Sequence, residues 1–169
     1  MISIIGLIAR SANNVMGLNG GLPWPHNRQD LQWFKKVTAG DPLLMGRKTL
    51  DSLPGILPGR HHYVVSCTPN VSDNPNVTYV LPHHIPQLIN KLNADGVPRL
   101  YIVGGRQILE TYDFLFDMLL LRTFDFNVDT KAEDEVVMFP TEILQRTKLV
   151  MSERWDDSVT ETYTSLNTW

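Results

Sequence analysis

The sequence of 169 residues contains one cysteine, Cys67, and no surplus of basic residues. A single cysteine excludes an internal disulfide and favours a reducing compartment, the cytoplasm. With 15 Lys and Arg against 18 Asp and Glu, the net charge of -3 does not suit a surface that wraps a nucleic acid. The composition therefore predicts a cytoplasmic protein without a nucleic acid partner.

Long hydrophobic runs are also absent. The apolar N-terminus MISIIGLIA is short and has no preceding positive charge, which indicates a buried strand and not a signal peptide or a membrane span. The adjacent pairs His61–His62 and His83–His84 would point to opposite faces of a strand, so their spacing predicts no metal site. The 43% hydrophobic and 20% charged residues are typical of one globular domain, residues 1–169.

Short apolar runs alternate with helical patterns along most of the chain. This alternation predicts strands near 1–9, 42–46, 61–66, 77–81, 99–103 and 117–126, and helices near 27–38, 47–53, 85–94 and 105–113. Two further strand-like runs, 147–155 and 159–169, flank Asp156, Asp157 and Ser158 and predict an antiparallel hairpin. The sequence therefore predicts an α/β domain whose mostly parallel eight-stranded sheet is closed by that hairpin and flanked by about four helices.

The first predicted helix carries an acid on its apolar side. In QDLQWFKKVT, residues three, four and seven positions apart share a face, which groups Asp30 with Trp33, Phe34 and Val37. One interpretation is structural, because an anion in the first helical turn gains about 0.3–1 kcal/mol from the helix dipole. The other is that the acid serves a ligand, and the helix alone leaves both open.

Two predicted strands run through glycine directly into helices. LLMGRKTL places Arg47, Lys48 and Thr49 at a helix start, where these side chains and free backbone N–H groups suit a phosphate. Exposed surface cations are the alternative interpretation. LYIVGGRQIL places Gly104 and Gly105 at a second helix start, although a Gly-Gly pair is a weak motif. Two such helix starts in one sheet suit a ligand with more than one phosphate, such as a dinucleotide.

Four segments in order resemble the dihydrofolate reductase family: GLNGGLPW (17–24), QDLQWFK (29–35), MGRKT with SLPGILPGR (45–60) and IVGG (102–105). Their order and spacing match that family through the first two-thirds of the chain. The resemblance implies a monomeric, NADPH-dependent oxidoreductase of one-carbon metabolism that binds dihydrofolate and antifolate inhibitors and needs no metal. It implies hydride transfer from the nicotinamide C4 to C6 of dihydrofolate with protonation of N5, which gives tetrahydrofolate.

The resemblance gives Asp30 a chemical role. It makes Asp30 the acid that accepts two parallel hydrogen bonds from the pterin ring, and such charge-assisted bonds contribute about 1.5–3 kcal/mol each. An ionised Asp30 would raise the proton affinity of the pterin, and Trp24 would help to place the nearby water. Arg60 would grip the glutamate carboxylate of folate. The other implied substrate contacts are Phe34 and Leu57 beside the aminobenzoyl ring, and the backbone of Ile5 and Val103, at the ends of neighbouring strands, around the pterin.

The resemblance also implies a cofactor site along the strand ends. Arg47 and Lys48 would surround a 2′-phosphate with positive charge, which favours NADPH over NADH. The implied cofactor residues are Leu7, Met16, Gly17 and Leu22 at the nicotinamide, Gly46, Arg47, Lys48 and Thr49 at phosphate, Ser66 and Thr68 at the adenosine end, and Gly104, Gly105, Arg106 and Gln107 at the pyrophosphate.

Two departures from the family pattern concern the surroundings of the cofactor. Leu109 stands where an aromatic residue usually supports the nicotinamide, so one contact there is lost or replaced. The segment 129–140 is longer and more acidic than the family's DTxFP loop. The sequence does not predict how this segment is folded.

A third departure lies in LRTF, where Arg122 stands at a position that is usually threonine. Simple strand alternation would aim Arg122 at the pocket of Asp30, where it would occupy the carboxylate oxygens that the pterin needs. We therefore predict a bulge that brings Thr123 to Asp30 as a catalytic hydroxyl donor and turns Arg122 to solvent or to another partner.

Two other functions are compatible with parts of this pattern. A reductase of the same fold could act on a related pterin or on a pyrimidine precursor of riboflavin, but only a folate-like tail needs the clamp of Arg60. A binding or structural protein could keep the fold without catalysis. The set of Trp24, Asp30 and Arg60 argues against that function, because a scaffold has no need of a buried unpaired acid.

Overall fold

The computed structural model describes residues 1–24 and 28–166, and for residues 28–30 it describes the backbone only. No helix in this part of the chain is long and apolar enough to cross a membrane. The strands are β1 (Ser3–Arg10), β2 (Val15–Leu18), β3 (Leu43–Gly46), β4 (His62–Val65), β5 (Val77–Val80), β6 (Arg99–Ile102), β7 (Met118–Phe124), β8 (Val136–Met138), β9 (Thr147–Arg154) and β10 (Ser158–Ser165). The α-helices are α1 (Arg28–Val37), α2 (Arg47–Ser52), α3 (Ile85–Ala94) and α4 (Arg106–Tyr112).

The main sheet has eight strands in the order β5-β4-β3-β6-β1-β7-β10-β9. The pairs from β5 to β7 are parallel, whereas β10 runs antiparallel to both β7 and β9. The predicted mostly parallel sheet with a closing C-terminal hairpin is therefore confirmed. All four predicted α-helices are present as well.

Alternate residues of the strands supply two hydrophobic cores, one on each face of the sheet. On β1, Ile4 and Ile8 join the core that contains residues of α3 and α4. Ile5 and Leu7 join the core that contains Trp33 of α1 and residues of α2. Helices α1 and α2 therefore cover one face of the sheet, and α3 and α4 cover the other.

A second, two-stranded sheet pairs β2 with β8, and the sequence did not predict it. These strands have four and three residues. Backbone bonds extend the contact, since Asn19 N–H donates to the Glu135 carbonyl at 2.9 Å and Phe139 N–H donates to the Asn14 carbonyl at 3.0 Å. Strands this short carry little periodicity, and their partners lie far apart in the chain. The segment 129–140, whose fold the sequence left open, is thereby attached to the β2 region.

The predicted bulge at Arg122 and Thr123 is wrong. Strand β7 pairs in continuous register with β1 on one side and with β10 on the other. A bulge would interrupt both of these ladders. Regular alternation instead places Leu120, Arg122 and Phe124 on the face covered by α1, and Thr123 on the opposite face.

The packing at Gly6 of β1 generates a prediction about stability. A Cβ atom added at Gly6 would lie 2.7 Å from Cε2 of Phe116 and 2.9 Å from Cδ1 of Leu119. We expect Gly6→Ala to lower the free energy of unfolding by about 1–3 kcal/mol through overpacking, measured by urea denaturation. The control is Gly55→Ala, where an added Cβ meets nothing within 4 Å. Equal losses in the two variants would contradict the packing argument.

Candidate active site

The carboxyl ends of the parallel strands meet at one edge of the main sheet, and a cleft of about 940 Å³ runs along them. Leu7 of β1 lies in its wall, together with Gly46, Ser66 and Val103 from the ends of β3, β4 and β6. In open α/β sheets this edge is where ligands bind. The cleft is therefore the candidate active site.

Most of the site residues predicted from the sequence line this one cleft. They come from β1, from the β2 region, from α1 and from the starts of α2 and α4, so segments far apart in the chain meet here. The predicted residues in the lining are Leu7, Met16, Gly17, Leu22, Phe34, Gly46, Arg47, Lys48, Thr49, Ser66, Thr68, Val103, Gly105, Arg106 and Gln107.

Helix α1 forms the wall on one side of the cleft. Trp33 and Phe34, on the apolar side of this helix, both line the cleft. The helix spans Arg28–Val37, one residue shorter at each end than the predicted range 27–38. The side chain of Asp30 lies outside the described residues, so the predicted role of this acid stays a prediction.

Two of the predicted substrate residues lie behind the wall. Ile5 and Leu57 are 6% and 3% exposed and belong to the same hydrophobic cluster as Phe34. The expectation that Ile5 sits at a strand end is wrong, because β1 continues from Ser3 to Arg10 and Ile5 pairs with Tyr101 within it. Ile5 and Leu57 therefore support the side chains that form the cleft surface.

The starts of α2 and α4 lie against each other at the cleft floor. The Gly46 N–H donates to the Gly104 carbonyl at 2.8 Å, and Gly104 has a φ of +104°, a conformation that favours glycine. A Cβ at Gly46 would come within 3.2 Å of Ile108 Cγ1, and one at Gly105 would come within 3.6 Å of Thr49 Oγ1. Neither helix has a side-chain N-cap bond. The backbone N–H groups at both helix starts are thus suited to an anionic ligand.

Charged side chains of both signs surround these helix starts. The Nζ of Lys48 lies 3.8 Å from Oε1 of Glu135, and both side chains are largely exposed. Arg106 pairs with Glu110 at 2.9 Å and donates to the Met138 carbonyl at 3.3 Å. Glu110 and Glu135 also line the cleft. Sequence reasoning missed both acids, and the only signal for Glu135 was the acidity of segment 129–140.

The predicted adenosine end contains a local turn. Ser66 is buried, and its hydroxyl donates to the Thr68 carbonyl at 2.8 Å. The Ser66 side chain therefore shapes the turn that follows β4. Cys67, between these two residues, is exposed and also lines the cleft.

Arg60 is held at the C-terminal end of α1. Its Nη1 donates to Thr38 Oγ1 at 2.7 Å and to the Lys35 carbonyl at 3.2 Å, and its Nε donates to the Pro58 carbonyl at 3.1 Å. These bonds fix the guanidinium plane and tie the loop after α2 to α1. Within residues 1–24 and 28–166 the Nη2 donors have no protein partner, so they are free to bind a carboxylate.

Trp24 belongs to an aromatic cluster beside the cleft. Its ring centroid lies 4.9 Å from that of Phe124 and 5.9 Å from that of Phe126. Its Nε1 is buried and has no hydrogen-bond partner among the described residues. A buried donor of this kind needs a partner such as a water molecule, and the role expected for Trp24 stays a prediction.

Arg122 and Thr123 lie on opposite faces of the sheet. Thr123 Oγ1 accepts a hydrogen bond from Arg10 Nε at 3.0 Å on the face away from α1, so the predicted turn of Thr123 towards the face of α1 is wrong. Arg122 is 3% exposed and does not point to solvent. Its Nε donates to Ser158 Oγ at 2.9 Å, and its Cζ lies 5.3 Å from the ring centroid of Trp33 in α1, so Arg122 stays on the face that regular strand alternation gives it.

Leu109 of helix α4 does not line the cleft, whereas other residues of this helix do. Leu109 is fully buried in the core shared with α3. Ile108 and Tyr112 of the same helix line the cleft instead. Burial raises the pKa of Tyr112, and the neighbouring Cys67 raises it further, so this tyrosine is neutral near pH 7.

No group of three or more His, Cys, Asp or Glu side chains in the described part of the chain is arranged to hold a metal ion.

Comparisons with known proteins identify similar sequences. A family profile described as dihydrofolate reductase matches residues 1–165. The chain is 32% identical over 162 residues to dihydrofolate reductase type 9 of Escherichia coli, with 89% of this chain and 91% of that protein covered. It is 34% identical over 161 residues to dihydrofolate reductase of Mycobacterium leprae (strain TN), with 91% and 90% covered. Both matches therefore span nearly the whole of the two chains.

The loop that carries Leu57 and Arg60 rests on a buried histidine. His62 is fully buried, and its Nε2 accepts a hydrogen bond from the Leu57 N–H at 3.3 Å. Burial lowers the pKa of His62 below its ordinary value of 6.5, although the nearby backbone of Arg60 and Asn76 opposes this effect. A proton on Nε2 would remove the acceptor for Leu57.

This arrangement predicts a pH dependence of stability. The unfolded chain binds a proton at position 62 more readily than the folded chain, so the free energy of unfolding decreases as the pH falls below about 6.5. We expect His62→Gln to show a flatter dependence between about pH 7 and pH 5 than the wild type, measured by urea denaturation. His84→Gln, an exposed histidine outside the cleft, serves as the control. If the free energy of unfolding of His62→Gln depends on pH as steeply as that of the wild type, His62 is not the residue responsible.

Proposed function

The chain belongs to the dihydrofolate reductase family, as four of its segments predicted, and is an oxidoreductase; from this premise we propose that it reduces 7,8-dihydrofolate to 5,6,7,8-tetrahydrofolate with NADPH. The observation that carries the proposal is that Phe34 of α1 and Arg47 at the cationic start of α2 line the same cleft. A substrate on one side and a dinucleotide on the other would meet in that space.

The residues on the α1 side suit a flat ring with an anionic tail. Trp33 and Phe34 offer aromatic surface in the cleft. Asp30 lies one helical turn before them in the chain, and a carboxylate is the group that accepts paired N–H donors from a pterin. The fixed guanidinium of Arg60, with its Nη2 donors open, suits the carboxylate of a folate tail.

The residues on the α2 and α4 side fit a dinucleotide. A Cβ added at Gly46 would lie only 3.2 Å from Ile108 Cγ1, so the backbone of the α2 start approaches α4 closely there. The exposed cations Arg47 and Lys48 add charge for a 2′-phosphate. When bound, NADPH would supply the hydride.

The chain's own residues would then orient the substrate and favour its protonation. An ionised Asp30 would hold the pterin and raise the proton affinity of its ring, while the Trp24 N–H would hold a water molecule nearby. The pairing of β2 with β8 positions Met16 and Gly17 at the cleft, where they would exclude bulk water. Because one chain forms the whole cleft, we propose that the monomer is active, and the single cysteine supports a cytoplasmic setting.

The first functional prediction concerns Asp30. The wild-type protein should oxidise NADPH when dihydrofolate is added, seen as loss of absorbance at the NADPH band. We expect Asp30→Asn to lower the turnover near neutral pH by about two orders of magnitude or more, on the scale of general acid-base effects. Activity should partly return at low pH, where the substrate is protonated in solution. The control is Asp73→Asn in an exposed loop, and unchanged turnover in Asp30→Asn at pH 7 would exclude this residue from the mechanism.

The second functional prediction concerns the choice of cofactor. Replacing Arg47 and Lys48 together by Gln should weaken NADPH much more than NADH, because each lost charged contact costs on the order of 1.5–3 kcal/mol. Dissociation constants from fluorescence titration measure the difference. The matched control replaces the exposed Lys36 and Lys148, which do not line the cleft, by Gln. Equal weakening of both cofactors would assign Arg47 and Lys48 to the shared pyrophosphate.

A further inference from the structure

Arg122 is a buried cation among aromatic rings. Its Cζ lies 5.3 Å from the ring centroid of Trp33, 5.3 Å from that of Phe124 and 5.8 Å from that of Trp155. Only 3% of the side chain is exposed. A guanidinium so far from water is costly unless its charge and its N–H groups are matched by partners.

The turn between β9 and β10 supplies such partners. Ser158 Oγ accepts from Arg122 Nε at 2.9 Å, and Asp157 Oδ1 lies 3.4 Å from Arg122 Nη2. The Ser158 hydroxyl in turn donates to Asp157 Oδ1 at 3.0 Å. The turn is closed by a bond from the Trp155 N–H to the Ser158 carbonyl at 2.8 Å. The C-terminal hairpin therefore sets the plane of the guanidinium.

The ring of Trp33 connects Arg122 with the cleft. Trp33 is the member of the aromatic set that lines the cleft, and it belongs to helix α1. A planar cation stacked on an indole restricts how the ring can rotate, whereas an aliphatic side chain of similar length would fill the space without that restriction. Phe34, the next residue, also lines the cleft.

We propose that Arg122 is a positioning residue for the substrate side of the cleft: held by Ser158 and Asp157, it fixes the indole of Trp33 and with it the wall formed by α1. The inference rests on the proposed function, because it assigns that wall to the flat ring of dihydrofolate. Arg122 acts through Trp33, and the C-terminal hairpin thereby contributes to a site that it does not line.

The test separates binding of substrate from binding of cofactor. We expect Arg122→Met to raise the KM for dihydrofolate about tenfold or more, the scale of a desolvated cation–π contact, while the Kd for NADPH changes less than about twofold. Arg122→Lys keeps the charge but loses the planar group. Its KM for dihydrofolate should therefore lie between those of the wild type and of Arg122→Met. Ser158→Ala, which removes one bond from the guanidinium, should give a smaller rise in KM. An unchanged KM in all three variants, or an equal loss of NADPH binding, would overturn the proposal.

A double-mutant cycle tests the route through Trp33. In a Trp33→Leu background, Arg122→Met should add little to the KM, because the contact that it removes is already gone. A full additional effect in that background would overturn the role of Trp33. The control pair is Arg99→Met in the same two backgrounds, since Arg99 pairs with Asp41 away from the cleft.

A spectroscopic readout keeps the inference independent of turnover. In the ligand-free protein labelled with 5-fluorotryptophan, the fluorine resonance of Trp33, assigned with Trp33→Phe, should shift in Arg122→Met and in Ser158→Ala. An unmoved Trp33 resonance in both variants would refute the coupling. If the wild type does not oxidise NADPH with dihydrofolate, the proposed function fails, and the Trp33 resonance still decides whether Arg122 positions α1.

Discussion

The structure depends on the parallel pairing of β1 with β6 on one side and β7 on the other. This pairing fixes which residues of β1 face each core, and it sends the ends of β1, β3, β4 and β6 to the same edge. The cleft exists because these strands end at the same edge of the sheet, and because residues of α1, α2 and α4 lie beside the strand ends.

Much of the fold could be predicted because its signals are local. The apolar strand that ends at Gly46 and the helix that begins at Arg47 both have clear patterns, and the structure contains both. The β2–β8 pair could not be predicted, because three or four residues carry no reliable period and the pairing depends on a distant partner. The acid Glu135 was missed for the same reason, since its place at the cleft follows from that pairing.

The errors at the site have two separate physical causes. The expectation for Thr123 assumed that a buried arginine near the acid had to be displaced by a local distortion of the strand. The structure keeps the strand regular and provides Arg122 with partners from β9–β10, a hairpin that the sequence predicted but did not connect with the site. For Ile5, a family role was transferred without the strand length that decides where β1 ends. Placement on a face was predictable from alternation, whereas the partners on that face were not.

The β2–β8 sheet has a consequence for the local stability of the cleft wall. Its few ladder bonds and its position outside the main sheet make it a unit that can open locally while the eight-stranded sheet stays intact. Its backbone amides should therefore exchange with solvent much faster than those of β1. Because β2 carries Met16 and Gly17 into the cleft, the same local opening would loosen the part of the cleft wall that these two residues form, while the strand ends of the main sheet keep their places.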